Sequence, residues 1–256
     1  MSRCFKALPR TLALAALSIF AGSCGSSSNP AQVRFVNAIQ DTAQYGTALD
    51  INVSGTKEFT NIPFQGFQPS SGYTAIPSGG VAVQGLRTGT STGVFIADIS
   101  LTASTPYTLV VTGFAIANEV AIISTIDNNT PPANGQVKFR VINASPSGPN
   151  GIPGAVDIYM VPVGSNAGLT SATLIASDLA YRSTSNYATV AYNPNSEQGF
   201  NYTMFVTPTG TTTPILITQT LSVGSSSAGA IRTLVLTDEQ NVDQLNPLAI
   251  VLNDLN

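Results

Sequence analysis

The feature that most limits what this chain can fold into is a repeat. Residues 33–38, VRFVNA, return at 139–144 as FRVINA, and residues 48–53, ALDINV, return at 155–160 as AVDIYM, at offsets of 106 and 107. Further on, TLVVTG (108–113) matches TLVLTD (233–238) and VAII (120–123) matches LAIV (248–251), at offsets of 125 and 128, so the second copy carries extra residues. Blocks that recur in one order at near-constant spacing imply one supersecondary plan built twice. The copies run from 33 to 127 and from 137 to 256. Residues 128–136, with the adjacent prolines Pro131 and Pro132 among polar neighbours, form a short linker.

Within each copy the pattern is that of strands. Val33, Phe35 and Asn37 alternate with Arg34, Val36 and Ala38, and Ile51 and Val53 alternate with Asn52 and Ser54, the period of two expected of a half-buried strand. Helical spacing is nowhere sustained. Runs rich in Val, Ile and Thr are separated by Gly, Pro, Asn and Ser clusters at a rhythm of about one strand per 12 residues, giving about eight strands in the first copy. The expected fold is all-β: two tandem antiparallel β-sandwich (Ig-like) domains after an N-terminal signal peptide. GFAIAN at 113–118 reads as a hairpin loop between the last two strands of the first copy, and 248–252 as the last strand of the second.

Composition then removes several chemistries. The chain holds no His and no Trp, and its two cysteines are Cys4 and Cys24, so a His-containing catalytic triad and His-ligated zinc are excluded. Ser and Thr together make 55 of 256 residues while only 9% of residues are charged, a polar but weakly ionic chain that is 43% hydrophobic and should fold.

Residues 1–23 read as an export signal. Arg3, Lys6 and Arg10 form a basic flank, 12–21 is an uncharged apolar run half as long as a membrane span requires, and small residues follow. The string AGSC at 21–24 resembles the lipobox of bacterial lipoproteins, in which Cys24 would become a lipidated N-terminus, although Ala21 stands where that motif prefers a larger aliphatic residue and Ala21 with Ser23 also suits ordinary cleavage. Lipidation would account for the one thiol left after cleavage, and 24–32 would be a flexible tether. By the same resemblance, Gly25 after the cysteine implies outer-membrane retention. Removing 1–23 takes away three of ten basic groups and no acid, so the mature chain carries 7 minus 13, or −6. An acidic surface without a basic stripe excludes nucleic acid as a partner.

VRFVNA and FRVINASP, each followed by an x-V-D-x-Y-like strand in ALDINV and AVDIYM, resemble the opening strands of the bacterial domain-of-unknown-function family numbered 4397. The second copy keeps the pattern in Asn143, Ala144, Ser145, Pro146, Asp157 and Tyr159. The first departs from it at Ile39, Gln40 and Asn52. The resemblance implies an exported or lipid-anchored envelope protein and brings no activity with it.

Candidate site residues are few. Gly89, Ser91 and Gly93 spell the nucleophile elbow of serine hydrolases, but that motif needs a strand-to-helix turn and a His base, so the segment reads as a hairpin turn. Lys57 and Lys138, the lysines left after export, sit in no recognisable motif. Asp50 and Asp157 hold the same place in both copies. Paired carboxylates could bind a cation or cleave glycosides, yet one acid per domain puts them farther apart than the ~5–10 Å that chemistry requires. A structural role beside Asn37 and Asn143, accepting hydrogen bonds from loop backbone, is the expectation. Asp127, Asn128 and Asn129, and the set Asp238, Glu239 and Asp243, lack calcium-loop spacing and read as solvated turns. The sequons at Asn52, Asn128, Asn143 and Asn201 are no more than composition supplies. Tyr181, Tyr187 and Tyr192 in the second copy could form an exposed recognition surface, although such residues more often pack in a core, and the larger loops near 145–154 and 193–200 lie in the same copy.

The sequence therefore points to a non-enzymatic envelope lipoprotein with no cofactor and no metal, held to the membrane through Cys24 and meeting an envelope protein or a polysaccharide. An exported enzyme, or an accessory subunit using carboxylates such as Asp157, and a soluble secreted binding protein are the alternatives.

Overall fold

A computed structural model describes residues 29–40, 48–146, 154–163, 169, 172–191, 201–213, 215–222, 229–238 and 248–255. The signal segment with Cys24, the larger loops noted above apart from Ser145, Pro146 and Gly154, and Tyr192, Glu239 and Asp243 lie outside them. The strands are β1 (Ala31–Ile39), β2 (Leu49–Val53), β3 (Thr56–Ile62), β4 (Phe67–Gln68), β5 (Thr74–Ile76), β6 (Gly79–Arg87), β7 (Gly93–Leu101), β8 (Pro106–Gly113), β9 (Ala121–Ile126), β10 (Gln136–Asn143), β11 (Val156–Pro162), β12 (Thr173–Leu179), β13 (Ala188–Ala191), β14 (Asn201–Pro208), β15 (Ile217–Ser222), β16 (Ile231–Thr237) and β17 (Leu248–Leu255). The all-β expectation holds.

These strands form four sheets. The first has the order β4-β1-β8-β9, with β5 also on β1, and the second is β3-β2-β6-β7. The remaining two, β13-β10-β16-β17 and β12-β11-β14-β15, follow the same plan, with β13 lying on β10 as β5 does on β1 and a single bridge of Ile142 with Thr184 where β4 pairs with β1. Pairing is antiparallel except for β1 with β8 and β10 with β16, which run parallel. The sequence reading missed these two pairs because alternation of side chains has the same period of two whichever way a neighbour runs. The hairpin loop before β9 closes on Gly113, whose φ is +112°. A Cβ there would lie 2.1 Å from the carbonyl oxygen of Glu119, so only glycine fits.

Three cores lie between the four sheets. Val33, Phe35, Ile51, Phe59, Leu109 and Val111 fill the space between the first two sheets, with the Phe35 and Phe59 rings 5.7 Å apart. Phe139, Val141, Ile158, Met160, Tyr202 and Leu234 do the same for the second pair, where Phe139 meets Tyr202 edge to face at 5.2 Å. A third core joins the two pairs. Val36, Ala38, Val110 and Ile123 pack against Ile142, Ala144, Val235, Ile250 and Leu252. The sheets carrying β1 and β10 are therefore the inner layers of a four-layer stack, and both faces of β1 and β10 are buried. The half-buried strand expected at 33–38 is corrected accordingly: the face bearing Arg34, Val36 and Ala38 meets the other inner sheet and not water.

Candidate functional site

Asp50 and Asp157 lie at matching places on β2 and β11, in different outer sheets. Asp50 accepts hydrogen bonds from the Asn61 amide at 2.9 Å, the Thr88 hydroxyl at 2.9 Å and the Gly89 amide at 3.4 Å, and pairs with Lys57 at 2.7 Å. Asp157 accepts from the Asp178 amide at 2.9 Å and the Gly210 amide at 2.8 Å. Each carboxylate ties the irregular point of an edge strand to a turn at one end of its outer sheet. The Asn61 and Asp178 backbones it holds are left-handed, with φ of 55° and 50°. The Lys57 ammonium above all, aided by the Asn61, Thr88 and Gly89 donors, holds the Asp50 carboxyl down at about 2.

A carboxyl whose folded value is depressed stabilises the fold above its ordinary range and loses that contribution as pH falls through the folded value. The stability gap between the wild type and Asp50→Asn is expected to be on the order of 1 kcal/mol at neutral pH and to close between about pH 4 and pH 2. Urea midpoints measured across that range check this.

Asn37 and Asn143 serve the inner strands. Each donates its side-chain amide across to the outer sheet, Asn37 to the Ile62 carbonyl and Asn143 to the Leu179 carbonyl, both at 3.1 Å. Each side-chain oxygen accepts the amide two residues on, Ile39 at 3.1 Å or Ser145 at 3.2 Å. Residues 88–92 form the turn between β6 and β7, and Gly93 opens β7, so a strand and not a helix follows.

The largest polar assembly was not foreseen as such. Arg34 on β1 donates to Asp254 at 2.6 Å, to the Thr108 hydroxyl at 2.7 Å and to the Asn253 carbonyl at 2.9 Å. Arg140 on β10 donates to Asp127 at 2.5 Å, to the Thr233 hydroxyl at 2.8 Å and to the Ile126 carbonyl at 2.9 Å. Thr108 and Tyr73 donate to Asp127 at 2.7 and 2.8 Å, as Thr233 and Tyr187 do to Asp254 at 2.5 and 3.0 Å. The arrangement is reciprocal: the arginine of each inner sheet is neutralised by the acid of the other. Both arginine side chains are 2% exposed and both acids fully enclosed. Burial first, and the adjoining Asp127 and Asp254 next, push the Tyr73 and Tyr187 hydroxyls well above the ordinary phenol range, so they remain donors.

This assembly corrects several expectations. Asp127 does not sit in a solvated turn; it is buried because the other inner sheet brings Arg140 to it. Asp238 is likewise buried, beside the Ser145 hydroxyl. Lys138, which belongs to no motif, holds the Asn128 and Thr130 carbonyls at 2.8 and 2.6 Å and so clamps the linker; burial lowers its ammonium. Tyr187 lies beneath Lys138 and Arg140, 4.7 and 4.8 Å from its ring centre. Tyr181 reaches to within 3.4 Å of the Thr112 hydroxyl on the opposite half. Neither belongs to an exposed row, because the strands beside them face the other inner sheet.

Matching positions also tie the halves at their rim. Gln65 donates to the Thr237 hydroxyl and the Asp238 carbonyl at 3.0 and 2.9 Å, and Arg182 to the Glu119 carbonyl at 2.7 Å. Away from this interface, a groove opens between β12, the edge of its sheet, and residues 183–186. Leu174, Ser177, Asp178, Ser185 and Asn186 line it. Among the described residues, no group of three or more His, Cys, Asp or Glu is placed to hold a metal ion.

Residues 31–151, which contain β1 to β10, match the model of a family described as Domain of unknown function (DUF4397). No curated protein matches the chain. Solved structures similar to it include two of carbohydrate-binding proteins. One, described as alpha-glucan binding by a streptococcal virulence factor, is 10% identical, with 82% of this chain and 94% of that one covered and a TM-score of 0.28. The other is CBMbc (family CBM26) from Eubacterium rectale Amy13K in complex with maltoheptaose, 12% identical, with 88% and 97% covered and a TM-score of 0.25. Scores this low assign neither a fold nor a ligand to this chain.

Proposed function

We propose that the chain is a non-enzymatic cell-envelope lipoprotein in which two β-sandwich repeats, 33–127 and 137–256, act as one rigid binding module. The reciprocal Arg34–Asp254 and Arg140–Asp127 pairing carries this reading. It engages the acids of both inner sheets in bracing, inside a region closed to any substrate, and it makes the two repeats a single body. Asp50 and Asp157, on separate outer sheets, brace turns in the same way. A body of this kind suits presentation of a surface to a protein or polysaccharide of the envelope, with the polar groove beside β12 as one exposed feature.

The anchor rests on the order of basic flank, short apolar run and AGSC at the N-terminus. Two or more acyl chains on Cys24 would hold the protein stably at the membrane. Intact mass spectrometry of the membrane fraction is expected to show an N-terminal Cys24 carrying acyl mass, and Cys24→Ala is expected to release the protein to the soluble fraction. Unchanged fractionation of that variant would refute the anchor.

A further inference from the structure

Residues 59–68 and 176–185 trace the same path without a gap. Asn61 and Asp178 share a left-handed backbone, as do Gln65 and Arg182, at φ of 60° and 63°. Asn37 grips the Ile62 carbonyl where Asn143 grips that of Leu179. The Gln65 amide donates to the Asn37 carbonyl as the Arg182 amide does to that of Asn143. On this correspondence Thr60 matches Ser177, and Gln68 matches Ser185.

The two places differ in one side chain. In the first half, the Gln68 carboxamide reaches across to the edge strand β3, where its oxygen accepts the Thr60 amide at 3.1 Å and its nitrogen donates to the Thr60 carbonyl at 2.5 Å. Thr60 lies in an irregularity of the β2–β3 pairing, so this backbone has no strand partner there. Ser177 occupies the matching irregularity of β12, with no partner in the register on β11. Its counterpart to Gln68 is Ser185, whose short hydroxyl is turned to the Val141 amide at 2.9 Å and the Asn186 carbonyl at 2.8 Å. Among the described residues, nothing caps Ser177 as Gln68 caps Thr60. The open groove lies at this place.

We infer that the groove between β12 and residues 183–186 binds the side-chain carboxamide of a glutamine or asparagine presented by a partner protein, seated on Ser177 as Gln68 is seated on Thr60. A primary carboxamide places a donor and an acceptor on one edge, which is what the N–H and C=O of one edge residue require. A secondary trans amide, as in a peptide bond or an N-acetyl group, holds them on opposite edges. Asp178, the one charged side chain lining the groove, disfavours the isosteric glutamate or aspartate and leaves a neutral amide unopposed. The inference rests on the binding-module reading and narrows its partner to protein.

The test is an amide-resolved NMR titration of the full mature chain with propionamide, set against propionate and N-methylacetamide. Propionamide is expected to shift the Ser177 amide in a saturable way, with no comparable response to the other two. In Ser185→Gln the Ser177 amide is expected to start at the shifted position and to stop responding. In Gln68→Ser a second responsive site is expected at Thr60. A silent Ser177 amide, or a full response in Ser185→Gln, overturns the inference while leaving the rigid anchored module untouched. An equal response to N-methylacetamide also overturns it, in favour of strand addition by a partner's backbone.

Discussion

Arg140→Ala is expected to lower the folding free energy by about 3–5 kcal/mol, because it strands the enclosed carboxylate of Asp127 beside a second buried acid. Forming such a network confers little net stability, since removing four charges from water offsets most of their attraction. Breaking it is another matter, for the Asp127 charge left behind has no water and keeps only the Thr108 and Tyr73 hydroxyls and an Arg34 nitrogen 3.5 Å away, which Asp254 already shares. Lys57→Ala provides the contrast. Its side chain is 48% exposed, and its loss from Asp50 is expected to cost no more than about 1 kcal/mol. Denaturant midpoints of the two variants check the difference, and equal small losses would mean that the Arg140 site is open to solvent.

Phe139→Ala is expected to cost about 3–5 kcal/mol and to loosen both halves together. The ring is fully buried in the core of the second pair of sheets, against Tyr202. Two independent sandwiches would confine the damage to β10 through β17. Here the inner sheets share an apolar core and two crossed ion pairs, so opening either half uncovers both. Hydrogen exchange read separately on β1 and β8 and on β10 and β16 is expected to accelerate in all four strands, within one unfolding transition.

The strand content and the matching segments were legible because alternation and repetition are properties of the string itself. The third core was not, although its signal was present. Arg34 shares a face with Val36 and Ala38, and Arg140 with Ile142 and Ala144. A charged residue leading two apolar ones looks like a solvent face, yet here it marks a face that buries its apolar part and neutralises its charge against a partner. The partner acids were hidden by a slip of one residue. Matching VAII to LAIV places Asp127 opposite Leu255, whereas the strand registers align Ser124 with Val251 through Leu109 and Leu234, and so Asp127 with Asp254 at the irregularity in β17. Apolar strings slide by one without changing their composition, but each such step exchanges the faces of a strand. The groove was invisible for a different reason. It depends on Ser185 standing where Gln68 stands in the first half, and that equivalence appears only once the backbone path aligns them.

The bond between Arg34 and Asp254 spans 220 positions of the chain. At the ~5–20 residues per second of protein synthesis, Asp254 emerges about 6 to 25 seconds after Asp127 completes the first inner sheet. During that interval Val36, Ala38 and Val110 lack the cover of Val235, Ile250 and Leu252, and the Arg34 guanidinium has its own half's Tyr73, Thr108 and Asp127 for company. The nascent first sandwich is thus a sticky half-molecule with a clock attached, and the moment at which β17 arrives decides whether it finds its own second half or a neighbouring chain.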